Sequence, residues 1–358
     1  MNKRSFKQIS KLLVAVILGT VSAGATAAVN AASHAEAGFE HFHNLEYDQA
    51  IHAFHDEIAA ANDQPDGYNH LAQAILYRRL YESGMLENSL TSGNDVLLSL
   101  IRQPKLVFPR ADEEAFQRAL TASTEAARAK LRVNPRDDSA LYALGIAHSL
   151  RANYDFLVRK AWVSAIRAGN EALKVHKQVA ALNPSRTDAL LVVGLHDYAV
   201  ASLPAGLRFL GAIAGVRGDK ARGLETLRVV AERGQQNRVE AQILLSAFYR
   251  HEKRTEQTIP LLNSLLERFP RNYLLHFAKV YALIEMKDGA NAMEALRSLD
   301  ANRTACVSGY GRISLAQICR ARDRIHYHPR GGIEKNNREV LSCTRSSALP
   351  GDVQARIR

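Results

Sequence analysis

Internal self-similarity at a fixed spacing constrains this chain more than any other feature. Arg132-Val-Asn-Pro-Arg-Asp-Asp-Ser-Ala-Leu-Tyr-Ala-Leu-Gly145 and Ala181-Leu-Asn-Pro-Ser-Arg-Thr-Asp-Ala-Leu-Leu-Val-Val-Gly194 lie forty-nine residues apart. In both, a glycine, Gly145 or Gly194, stands ten residues past a proline, Pro135 or Pro184. A third copy from Arg268 keeps Pro270 and the spacing but puts Val280 in the glycine slot. Proline stops a helix because it lacks the N–H donor and restricts the residue before it. A chain that repeats one stop at one offset from a small residue is built of similar helix pairs. A single pair cannot bury its apolar stripe, so the pairs must stack.

The first copy shows the rest of the unit. Gly38 is followed twelve residues on by Ala50 and then by Phe54, with Tyr47 in the turn before the second helix; later copies offer Ser246, Tyr249, Leu262 and Pro270, then Ala292 and Leu296. This spacing resembles the tetratricopeptide (TPR) repeat, where small residues let paired backbones approach and an aromatic or leucine fills the gap to the next pair. The resemblance implies an all-α fold, a right-handed α-solenoid of stacked helix-turn-helix pairs. The periodicity places pairs at about 34–61, 68–133, 138–182, 187–234, 238–269, 273–299 and 310–345. The block Leu203–Gly218 and its leucine-rich continuation through Arg233 resemble a segment of the inclusion-body-clearance-type TPR proteins. That likeness covers roughly 180–300 and implies a fold, not an activity; those proteins are intracellular, whereas the start of this chain reads as an export signal.

Lys3, Arg4, Lys7 and Lys11 precede the apolar run Leu12–Leu18, and Ala25-Thr26-Ala27 supplies a small-residue cleavage site. Residues 1–27 therefore read as a signal peptide of bacterial type, with a periplasmic or secreted protein beginning near Ala28. The apolar run is too short to span a bilayer and no later stretch is long enough. Residues 28–304 form the expected array, interrupted by irregular segments at 83–110 and 203–218, which carry clustered glycine and proline. Residues 305–358 read as a basic, degenerate terminal repeat, expected to be truncated or else capped by a partner or a second copy through this end. Of the formal charge of +11, eleven basic against four acidic residues put +7 between 301 and 358. Cys306, Cys319 and Cys343 all lie there; in an oxidising compartment they allow one disulfide, with three pairings open.

An array of this kind binds protein or peptide segments along the face lined by the first helix of each pair. Counted from the glycine slots, that face comprises Tyr142, Ser149, Asp188, Leu191, Tyr198, Glu240, Ile243 and Arg250. It lacks the Lys/Asn grouping that clamps a C-terminal carboxylate. His41, His52 and His55, among five histidines near Asp56 and Glu57, form a weak metal candidate without Cys/His zinc spacing; no metal or cofactor is expected. No nucleophile elbow, His-Glu-x-x-His or phosphate loop occurs, so no catalytic residue is assigned; Gly211, Gly215 and Gly218 read as close packing. A nucleic-acid partner is not expected, because no basic face is interleaved with stacking aromatics. The reading is an exported scaffold or adaptor without catalysis. Its rivals are an accessory subunit or hydrolase with a site in the irregular segments, and attachment of the basic end to an anionic polymer or lipid.

Overall fold

The computed structural model describes residues 29–87, 104–203, 205–206, 208 and 217–326, and among these every regular element is helical. They are α1 (29–43), α2 (Tyr47–Ala60), α3 (Pro65–Glu82), α4 (Arg110–Val133), α5 (Asp138–Leu157), α6 (Trp162–Leu182), α7 (Leu190–Ser202), α8 (Lys220–Arg233), α9 (Arg238–His251), α10 (Thr258–Arg268), α11 (Tyr273–Glu285), α12 (Gly289–Thr304) and α13 (Leu315–His326). Single 3-10 turns stand at Thr187–Ala189 and Thr255–Gln257. Residues 1–27, most of both irregular segments, Cys343 and the second helix expected in the last pair lie outside the described residues. None of the described helices is long and apolar enough to cross a membrane.

Contacts divide the chain into two compact units, Met1–Ser83 with Lys105–Val192, and Gly84–Pro104 with Val193–Arg358. Within the first, α2 packs on α3, α3 on α4, α4 on α5 and α5 on α6, while α3 also touches α5. Within the second, each helix from α8 to α13 packs on the next, and α11 also touches α13.

The turns explain the helix stops. Leu45, Lys160, Lys253 and Lys287 all adopt positive φ, between 54 and 65°, after the first helix of a pair. Past three of them the next amide reaches back five residues: Glu46 to the His41 carbonyl, Arg254 to Tyr249 and Asp288 to Leu283, at 2.7–2.9 Å. This is the Schellman closure, made here without the usual glycine. Between pairs, the Asn-Pro turns are held by their asparagines. Asn134 Oδ1 accepts the Arg136 amide at 3.1 Å and Asn183 Oδ1 the Ser185 amide at 3.2 Å. Asp137 then caps α5, accepting the Ala140 amide at 2.9 Å.

The helix crossings use one recurring pair of positions. Ala50 and Phe54, Ala172 and His176, Gly223 and Leu227, Thr258 and Leu262, and Ala292 and Leu296 are each a small and a large residue four apart, and all are buried. The first four face predicted small-residue slots, the fourth through the Thr258 hydroxyl, which donates to the Ser246 carbonyl. A methyl group on Gly38 would overlap the Phe54 ring; on Gly145 it would lie 2.8 Å from His176 Nε2, and on Gly194 3.0 Å from the Gly223 carbonyl. On Gly223 it would lie 2.7 Å from the Tyr198 amide nitrogen. Gly218 also backs onto the α7 backbone at Ala201, so packing accounts for it.

Two measurements check this account. Gly223→Ala should lower stability by about 1–3 kcal/mol through overpacking, and Gly194→Leu should act in the same direction. Gly169→Ala, in α6 with nothing within 4 Å, should raise stability by about 0.5–1 kcal/mol. Thermal melts followed by circular dichroism would refute the crossing if Gly223→Ala and Gly169→Ala moved together. Second, Cys319 is disulfide-bonded and Cys306 is a free, exposed thiol. A maleimide should therefore label Cys306 in the unfolded, unreduced chain and reach Cys319 only after reduction.

Candidate functional site on the first helices

The polar and aromatic side chains of the first helices are mostly spent on one another. In the first unit, Phe39 of α1 meets the Phe54 ring at 5.2 Å and the His70 ring at 4.7 Å, both edge-on. His70 Nδ1 lies 2.9 Å from Oε2 of the buried Glu57. Beside them, burial pushes the Asp66 carboxyl above its ordinary range, against the pull of His70. Apart from Phe54, a repeat position, and Glu57, this cluster was not visible in the sequence, because its members come from three helices. The predicted metal candidates are not brought together: His41 Nδ1 pairs with Glu46 at 2.7 Å, His52 with Asp56 at 3.2 Å, and His55 is exposed. Among the described residues no group of three or more His, Cys, Asp or Glu is placed to hold a metal.

Of the eight residues expected on a solvated first-helix face, four are interior. Tyr142 is buried against the His176 ring at 5.4 Å, with the Arg186 guanidinium 5.4 Å from its ring centroid. Asp188 is buried in the 3-10 turn before α7. Tyr198 stacks on Phe248 of α9 at 3.9 Å, and its hydroxyl lies 2.9 Å from His251 Nδ1 and 3.0 Å from Glu252 Oε1. Lys220 closes the group at 2.7 Å from the same Glu252 oxygen. Burial works against the Glu252 charge, yet the hydrogen bonds from Lys220, Tyr198 and His251 hold its carboxyl below the ordinary range. Arg250 is buried and forks onto Glu285 of α11 at 2.6 and 3.0 Å.

The cause is common to Tyr198 and Arg250. The next first helix comes close enough to cover these positions, so what a lone helix would present to solvent becomes an internal contact. Asn69 of α3 shows the same device, donating to the Ala143 carbonyl of α5 at 2.9 Å. Ser149, Leu191, Glu240 and Ile243 remain half-exposed; Ser149 donates to the Gly145 carbonyl at 3.1 Å, and Ile243 packs beside Leu262 and Leu265. In the second unit an open groove also runs along α12 to Arg322 of α13, with Met293 and Leu296 apolar and Arg297 and Asp300 polar.

His176 is the sharpest departure from the repeat. It occupies the slot filled elsewhere by Phe54, Leu227, Leu262 or Leu296, is fully buried, and neither ring nitrogen makes a hydrogen bond of normal geometry. Burial pushes it down to about 4, against the pull of the Gly145 carbonyl. It is therefore neutral packing material, not a base facing substrate.

Neither a protein-family model nor any curated protein matches this chain.

The neutral His176 gives a pH prediction. Its folded value lies below the ordinary 6.5, so the unfolded chain takes up the proton first. The stability it allows is complete above about pH 6.5 and is lost as pH falls toward 4, by up to about 3 kcal/mol. His176→Leu, which keeps the slot apolar, should flatten the fall in melting temperature between pH 7 and pH 4.5. An identical pH profile for the variant would show that another group controls acid lability.

Proposed function

We propose that this chain is an exported, non-catalytic scaffold of the TPR type, holding protein or peptide segments along the first-helix face of a right-handed array. The observation that carries this is the recurrence of one crossing geometry. Five helix pairs place a small and a large residue at the same two slots, from Ala50 and Phe54 to Ala292 and Leu296. Stacked units of that kind present side chains at regular intervals, which suits an extended ligand. Leu191, Ser149, Glu240 and Ile243, half-exposed on or beside first helices, are the residues left to meet it. The interior Tyr142, Asp188, Tyr198 and Arg250 serve as supports. Cys319 in a disulfide fits the oxidising compartment that the N-terminal signal implies.

Tyr198 and Lys220, of the polar group with His251 and Glu252, flank the irregular segment 203–218 along the chain. Each member of the group is engaged by another, which favours a tie between helices over a reactive centre. The test is capture from periplasmic extract with Ile243→Arg and Leu191→Arg as paired variants. A specific partner lost in both, with helical content unchanged by circular dichroism, is the expected result. Capture that survives both but falls away in high salt would place binding on the basic end instead, and overturn the proposal.

A further inference from the structure

The start of α6 breaks the surface pattern of the first unit. Trp162, Val163 and Ile166 are 42, 73 and 64% exposed, and their spacing puts them on one side of the first helical turns. The Phe156 ring braces Trp162 edge-on at 4.9 Å. The turn beneath is fixed: Lys160 takes the left-handed conformation, and the buried Asp155 holds Arg159 at 3.1 Å and the Ser164 hydroxyl at 2.5 Å. Asp155 is the only carboxylate from 155 to 170, and Lys160 and Arg167 flank the apolar residues. Alongside, the Leu106 amide donates to the Leu157 carbonyl at 2.9 Å, bringing the segment of Lys105 and of Val107, 74% exposed, to the same end of α5.

We propose that this knuckle is a docking point for an anionic phospholipid surface. Its chemistry pairs a tryptophan and two aliphatic side chains with the flanking cations Lys160 and Arg167; Asp155 is buried, and the nearest exposed acid of the helix is Glu171. This is the combination that seats at the boundary between headgroups and acyl chains. Its size decides against a folded protein partner. Three side chains supply far less than the roughly 800 Å² per partner of a stable protein interface. Exposure this high also describes a projection, not a groove that would take up a peptide. Lipid needs only a few inserted side chains, with the charge adding attraction.

Trp162 is the one tryptophan in the chain, so its fluorescence reports on this site alone. With the full chain, vesicles of phosphatidylglycerol and phosphatidylcholine should shift its emission to the blue and shield it from aqueous iodide. Phosphatidylcholine alone should do so far less, and added salt should weaken the effect. Val163→Asp with Ile166→Asp changes two exposed positions, so helical content should hold while vesicle affinity falls at least about tenfold. The absence of any shift with anionic vesicles would overturn the proposal. So would an unchanged shift in the double variant, since another segment, the N-terminal apolar run included, would then be the anchor. A blue shift that follows protein concentration without lipid would assign the patch to self-association.

Discussion

Close approach of paired helices at one small residue is the contact on which the structure depends. Where Gly38, Gly145, Gly194 or Ser246 meets its partner helix, a small side chain and a large one four residues later form the opposing surface. The slots tolerate exchange. Gly194 against Gly223 removes both side chains and leaves Leu227 to fill the space, whereas Ser246 is accepted opposite Thr258, whose hydroxyl donates to the Ser246 carbonyl at 3.2 Å. Exchange of this kind keeps a crossing intact while its sequence signature decays.

That tolerance sets how much was legible in the sequence. Helix type, the existence of pairs and most boundaries followed from Pro135, Pro184, Pro270 and the small residues ahead of them, because proline and glycine act through the backbone and need no tertiary partner. The turns inside each pair were less legible. Their left-handed residues are Leu45, Lys160, Lys253 and Lys287, and a lysine gives no local sign that it ends a helix. Tertiary packing imposes that conformation, against a local cost of about 1 kcal/mol.

The exposure of the expected face was not legible: Tyr142, Asp188, Tyr198 and Arg250 are buried. Counting from the glycine slots puts Tyr198 and Arg250 on the first helices, but Tyr198 also lies against Gly223 and Lys220 of the second helix. The count carries no information about the next first helix, whose Phe248 and His251, or Glu285, complete the contact. Amphipathic patterning fails here because His251 and Glu285 among the covering groups are themselves polar. An arginine that forks onto a glutamate looks the same in sequence whether the pair is wet or buried. The Trp162 knuckle is the converse case: its apolar spacing reads as core, and only the exposure of Val163 and Ile166 distinguishes it.

Interchangeable crossings create a difficulty that the polar contacts answer. If every pair offers nearly the same small-and-large surface, apolar packing alone discriminates weakly between the correct neighbour and another, and misassembly is a characteristic failure of repeat proteins. The polar contacts, buried at Asn69 and part-buried at the others, differ from one junction to the next: Asn69 to the Ala143 carbonyl, Asp138 to Asn183 and Arg186, Tyr198 to His251 and Glu252, Arg250 to Glu285. Each is satisfied by one neighbour and would be stranded by the others. Stranding a buried charge costs about 3–5 kcal/mol, while replacing a satisfied pair with apolar residues can cost little. Their contribution is thus more to the order of stacking than to net stability. That explains how a repeat this decayed in its glycine slots still has one arrangement of helices within each unit.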